Sequence, residues 1–192
     1  MPVSYSRVRT ERASERGFTM AELMAVVAIV AVLALLATVS VRKYVASSKT
    51  NEAIEMIGNI KAAEESYKEE TFAYLPVSSD VTSSSSFYPN NPLPGMQKMN
   101  FAGGPATLQS NWMRLGVNST APVLFVYACS AGAPNTAPSS LGSDITVSNW
   151  PATVAAPWYV VKAKADLSGG NGVMTVFVGT SFAGDIYASN NN

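Results

Sequence analysis

The amino-acid sequence predicts an α+β protein in which a long N-terminal α-helix packs against a C-terminal antiparallel β-sheet. Three observations predict this class. A largely apolar run without charge extends from Leu23 to Val41, a stripe of apolar residues at helical spacing follows it, and β-prone runs separated by turns occupy the C-terminal part. The 192 residues suffice for one domain and an anchor.

The apolar run is long enough to cross a membrane. It contains neither Gly nor Pro. Because a helix rises 1.5 Å per residue, about 20 residues span roughly 30 Å, the thickness of a bilayer core. Residues 18–41 are therefore predicted to form a transmembrane half-helix. The polar, arginine-rich residues 1–17 before it are interpreted as a leader.

Helical periodicity continues after the apolar run and predicts an amphipathic half-helix over residues 42–75. The apolar stripe consists of Ala53, Met56, Ile57, Ile60, Ala63, Tyr67, Thr71 and Tyr74. Most charged residues lie off the stripe and are expected to be solvated: Glu52, Glu55, Glu65, Lys68, Glu69 and Glu70. A proline disfavours helical angles in the residue before it, so Pro76 ends the helix. We predict one helix from Phe18 to Tyr74.

Residues 76–192 are predicted to form a globular head. Residues 76–122 have loop composition, with a short helix that carries Trp112, Met113 and Leu115. Residues 123–192 are predicted to form the sheet, with strands Val123–Cys129, Trp158–Ala165 and Val173–Val178 and a weaker one at Asp185–Ala188. The turn Ser168–Gly172 predicts an antiparallel hairpin. Loops 78–111 and 130–157 are expected to lie outward and to tolerate substitution.

The composition excludes several classes of function. The chain has no histidine and a single cysteine, which excludes an intrachain disulfide, zinc sites built from Cys and His, and His-dependent nucleophilic catalysis. Cys129 alternates with Phe125 and Tyr127 on one face of a predicted strand, so we expect it to be buried. No paired carboxylates, phosphate-binding loop or basic patch occurs, so no catalytic residue, enzymatic activity, cofactor or nucleic-acid partner is expected.

Glu22 stands out because it lies at the start of the apolar run. A carboxylate in a membrane costs about 2.5–3.5 kcal/mol at the centre of a helix unless it finds a partner. One explanation is that Glu22 lies at headgroup level and caps the helix start. The other is that an opposite charge joins it inside the apolar environment.

The segment Gly17-Phe18-Thr19-Met20-Ala21-Glu22-Leu23, preceded by basic residues and followed by the apolar run, resembles the prepilin peptidase site of type IV pilins. The order of leader, apolar half-helix, amphipathic half-helix, loop and sheet is similar to a pilin subunit. The resemblance implies cleavage between Gly17 and Phe18 and methylation of the new Phe18 amine. It also implies that Glu22, with Thr19 and Leu23 beside it, pairs with the Phe18 amine of a neighbouring subunit during assembly.

The same resemblance implies partners and a location. They are further copies of the chain in a helical filament, a prepilin peptidase and methyltransferase, membrane lipid before assembly, and an inner-membrane platform driven by a separate ATPase. The precursor would sit in a bacterial inner membrane with its N-terminus in the cytoplasm and its head outside, and would later enter a cell-surface filament. Adhesion, motility, DNA uptake and secretion are all compatible outputs.

Two departures from the family pattern leave the subclass open between pilin and secretion or competence pseudopilin. The apolar half-helix lacks the Gly and Pro that many pilins carry, and the C-terminal region cannot form a disulfide. Some pseudopilins bind calcium in a C-terminal loop, for which Asp166, Asn171 and Asp185 are the candidates. Calcium prefers six to eight oxygen ligands, so these residues fit a plain turn better and we expect no metal.

A rival interpretation makes the chain an extracytoplasmic binding domain with a single-pass anchor or a signal peptide. Thr38-Val39-Ser40 resembles a signal-peptidase site, although Glu22 within the targeting region argues against it. A mature N-terminus at Phe18 would support the pilin, and one at Val41 would support the signal peptide.

Overall fold

The computed structural model describes residues 17–90, 97–167 and 172–189, and within them it confirms the predicted α+β class. The elements are helices α1 (Met20–Thr71) and α2 (Ala106–Leu115), strands β1 (Val126–Gly132), β2 (Trp158–Asp166), β3 (Met174–Thr180) and β4 (Tyr187–Ala188), and 3-10 turns at Ser84–Ser86 and Phe101–Gly103. Most of the predicted leader, residues 1–16, lies outside the described residues. The chain divides into two compact units, Met1–Tyr44 and Val45–Asn192, which are described separately.

Helix α1 is shorter at both ends than the predicted span from Phe18 to Tyr74. It begins after Thr19, which acts as its N-cap. At the other end, Phe72 has a φ of 62°, in the left-handed region that stops a helix. The chain therefore leaves the helix four residues before Pro76, because the proline limits how far a helix can extend but does not set where it ends.

The four strands form one antiparallel sheet in the order β1-β2-β3-β4. Cys129 faces Val161 across the first pair of strands, and Ala163 faces Phe177 across the second. The predicted hairpin between β2 and β3 is confirmed, although residues 168–171 of its turn lie outside the described residues. Strand β4 contributes only two residues, which pair with Phe177 and Val178.

Strand β1 begins three residues later than predicted, because the residues just before it form hydrogen bonds to a side chain of α1. The Leu124 and Phe125 N–H groups donate to Glu52 Oε1 at 2.5 and 3.4 Å, while Val123 bridges to Met99. These amides bond to a carboxylate rather than to a neighbouring strand. The expectation that Glu52 is solvated is wrong: it is partly buried and fixes the start of the sheet.

One face of the sheet packs against the predicted apolar stripe of α1. Ala53, Ile57 and Ile60 are fully buried there, together with Phe125 and Tyr127 of the β1 region. Cys129 belongs to this core and is 0% exposed, which confirms its predicted burial. Because the strand alternates, every second residue of β1 meets the helix.

Loops cover the other face of the sheet, so the expectation that they lie outward is wrong in part. Val81 and Phe87 from one loop and Leu141 and Ile145 from the other are buried against the sheet. On β2, Lys162 is 0% exposed and donates from Nζ to Leu141 O at 2.7 Å and to Asp144 Oδ2 at 2.9 Å. A lysine buried on the sheet thus anchors the long second loop.

Candidate functional site

The predicted cleavage point lies in non-helical backbone just before α1. Gly17, Phe18 and Thr19 precede the helix, and the Phe18 side chain is 81% exposed. A Cβ atom placed on Gly17 would meet no described atom within 4 Å. The fold of the described residues therefore imposes no steric limit at position 17, so a requirement for glycine there would have to come from a partner.

Thr19 and Glu22 form a reciprocal capping box at the start of α1. Glu22 Oε2 accepts hydrogen bonds from the Thr19 N–H and from Thr19 Oγ1, both at 2.8 Å. The Glu22 N–H donates in return to Thr19 Oγ1 at 3.2 Å. Two N–H groups that a helix start leaves without partners are satisfied in this way. Leu23 adds the first helical bond, from its N–H to Thr19 O at 3.2 Å.

The capping box decides part of the question that the sequence left open about Glu22. The carboxylate caps its own helix start, as one of the two explanations expected, and stays exposed to any partner that approaches. Pairing with the amine of a neighbouring subunit remains a prediction. The two roles are compatible, because a carboxylate has two oxygens and about four acceptor sites.

The helix that follows the capping box has an apolar surface without a partner in the structure. Met20–Thr38 is long and apolar enough to span a membrane, with a mean hydropathy of 2.6, and none of that window is buried among the described residues. The polar group of Thr38 is satisfied by the backbone of the same helix, since Thr38 Oγ1 donates to Ala34 O at 2.8 Å. A continuous apolar surface of this size requires lipid or other protein chains around it.

A second acid of interest, Glu64, was not singled out in the sequence. Glu64 is 0% exposed, and its carboxylate accepts from the Leu75 N–H at 2.9 Å and from Cys129 Sγ at 3.2 Å. Burial, only partly offset by these two hydrogen bonds, raises the pKa of Glu64 to about 7. The sequence spacing could have indicated this burial, because Glu64 lies four residues after Ile60 and three before Tyr67, on the apolar stripe itself.

The three calcium candidates do not come together as a visible site. Asp166 is buried at the end of β2, Asp185 is exposed, and Asn171 lies outside the described residues. Within the described ranges, no group of three or more His, Cys, Asp or Glu side chains is placed to hold a metal ion.

Comparison with known proteins assigns the N-terminal segment. Residues 12–38 match the family model described as the prokaryotic N-terminal methylation motif. Neither the curated proteins nor the solved structures contain a match to the chain. The matched residues include Gly17, the capping box and the exposed apolar surface of α1. The chain therefore carries the N-terminal signature of type IV pilins and pseudopilins.

Proposed function

We propose that this protein is a structural subunit of a type IV pilus or a related filament, made as a membrane-anchored precursor and processed between Gly17 and Phe18. The observation that carries the proposal is the coincidence, within one motif, of an accessible glycine, an acid at the first helical turn and an apolar helix surface. Lipid covers this surface before assembly, and the helices of other subunits cover it afterwards.

Assembly depends on Glu22 and on the amine that processing creates at Phe18. The peptidase removes the leader, a methyltransferase modifies the amine, and the charged terminus of one subunit reaches Glu22 of the next. Two opposite charges attract strongly in an environment of low dielectric constant. Contacts between unlike surfaces of identical subunits produce a helical filament when the rotation from one subunit to the next does not close a ring.

The proposed filament needs an inner-membrane platform and an ATPase supplied by other proteins. The head then faces the outside of the cell as part of a surface fibre, or of a pseudopilus in a secretion or competence system. The pilus is the first choice and the pseudopilus the alternative.

Mass spectrometry of the native subunit, together with electron microscopy of surface filaments, tests the proposal. A mature chain that begins with methylated Phe18 and is found in filaments would support it. A mature chain that begins at Val41, or one that keeps its arginine-bearing leader and never enters a filament, would overturn it. The Val41 outcome would instead favour a secreted binding domain.

A further inference from the structure

Glu64 joins three separate parts of the head. It lies on α1 and accepts two hydrogen bonds. One comes from the Leu75 N–H, in the return segment that follows the helix, and the other comes from Cys129 Sγ on β1. Leu75 and its neighbour Tyr74 are themselves buried. The ring of Tyr74 packs edge-on against the ring of Tyr159 on β2, with the two ring centroids 4.7 Å apart. The carboxyl group is thus the polar centre of an otherwise apolar contact between helix, return segment and sheet.

No cation compensates this carboxyl group among the described residues. The titratable groups around it are Glu65 on α1, Tyr74 on the return segment, Cys129 on β1 and Tyr159 on β2, and none of them is cationic. The two lysines nearest to Glu64 along α1, Lys61 and Lys68, bond elsewhere. Lys68 contacts Tyr74 and Glu65, and Lys61 contacts Ala183 O.

An ionised Glu64 is therefore costly in the closed head. Two hydrogen bonds do not replace the hydration that a carboxylate loses on full burial, and an unpaired buried charge is among the most destabilising features of a protein interior. When Glu64 is protonated, Oε2 still accepts from Leu75, and the proton on Oε1 can be donated to Cys129 Sγ. When it is ionised, opening of the contact to water lowers the free energy of the carboxylate, because water can hydrate the charge.

We infer that Glu64 is a proton-dependent latch, which holds the return segment and β1 against α1 when it is protonated and loosens them when it is ionised. A folded-state pKa above the unfolded value of 4.5 means that the latch contributes fully to stability below pH 4.5. Its contribution falls as the pH rises to about 7 and is lost above that value.

The chain contains its own reporter of latch opening. Cys129 is the only cysteine, it is fully buried, and it touches the carboxyl group directly. An alkylating reagent in water can reach it only when the contact opens, so its labelling rate in the native state measures the open fraction. Dividing by the rate of the unfolded chain at the same pH removes the titration of the thiol itself.

The experiment compares the full-length chain in detergent micelles with Glu64→Gln, which mimics the protonated state, and with Glu69→Gln as the matched control at an exposed position of α1. We expect the normalised labelling rate of the wild type and of Glu69→Gln to rise on the order of 100-fold between pH 5 and pH 8. We expect Glu64→Gln to show no such rise.

A pH-independent normalised rate in the wild type would overturn the latch, and so would a rise of equal size in Glu64→Gln. If Glu64→Gln does not fold, the wild-type profile still decides, and Glu64→Met offers a second uncharged variant of similar length. Neither processing nor filament assembly enters these measurements, so their outcome is independent of the proposed function.

Discussion

Gly179 of β3 lies directly against Ile57 of α1: a Cβ atom placed on Gly179 would meet Cγ2 of Ile57 at 2.7 Å. Ile57 is fully buried in this position. The helix therefore rests on the sheet at a point where the strand has no side chain. This absence sets how closely the two layers approach each other.

Gly179→Ala is expected to destabilise the head by about 1–3 kcal/mol, because the added methyl group forces the helix and the strand apart in a packed core. Urea denaturation of the full-length chain measures the change. Gly58→Ala is the matched control, since a Cβ at position 58 meets no described atom within 4 Å. Alanine there should stabilise the exposed helix by roughly 0.5–1 kcal/mol. Equal effects of the two substitutions would contradict the packing argument.

Gly17→Val is expected to block removal of the leader. Valine has room in the described structure, so a defect would report on recognition by the peptidase and not on folding. Immunoblotting of membranes from the native host separates the precursor from the mature chain. A mature band at the wild-type level would count against the predicted cleavage site.

Glu22→Ala is expected to leave processing intact and to reduce filament yield strongly, because the charged Phe18 terminus then lacks its partner in the apolar filament core. Sheared surface filaments are quantified against the processed subunit in the membrane. Thr19→Val separates the two roles of Glu22, since it removes the hydroxyl of the capping box and keeps the acid. Filaments at wild-type yield from Glu22→Ala would refute the assembly role.

Lys162→Met is expected to loosen the loop over the second face of the sheet and to cost about 1–3 kcal/mol, because Leu141 O loses its hydrogen-bond donor and Asp144 loses the closer of its two cations. Hydrogen exchange locates the change, and urea denaturation measures it. The control is Lys98→Met, because Lys98 is exposed and its 3.7 Å ion pair with Glu52 contributes little. An unchanged exchange rate around Leu141 would show that Lys162 does not anchor the loop.

The ion pair of Asp144 also predicts a sensitivity to acid. Burial alone would raise the pKa of Asp144, but the hydrogen bond from Lys162 and the charges of Lys162 and Lys164 lower it overall. A lowered pKa contributes stability above the unfolded value of 3.8, and that contribution is lost as the pH falls through the folded value. The stability difference between the wild type and Asp144→Asn should therefore be present at neutral pH and should shrink as acid titration lowers the pH below 3.8. A constant difference across pH would contradict the assignment.

Local patterns predicted the long helix and most of the sheet. The apolar stripe from Ala53 to Tyr67 and the alternation around Cys129 follow directly from the periods of helix and strand, and both are confirmed. Two further members of the predicted stripe differ: Thr71 is exposed, and Tyr74 is buried but lies beyond the end of α1. The capping box also left a local signal, a threonine followed three residues later by a glutamate, but only Glu22 was considered as a cap from the sequence.

Features that depend on contacts distant in sequence could not be predicted in the same way. The start of β1 is set by Glu52, more than seventy residues earlier in the chain. The composition of loop 130–157 predicts an exposed segment, yet Lys162 binds this loop to the sheet through Leu141 O. Glu64 lay on a visible stripe, but only the fold shows that its donors come from Leu75 and Cys129.

The reciprocal hydrogen bonds between Thr19 and Glu22 have a consequence for reversibility. An acid that is already solvated by its own polypeptide does not have to wait as a bare charge for a neighbour. In the proposed filament, a second protomer would dock on a carboxylate that already has hydrogen-bond donors, so the net gain is smaller than it would be for an unsolvated charge. A protomer that leaves such a filament keeps its capping bonds, so the same few atoms that favour growth also allow shrinkage.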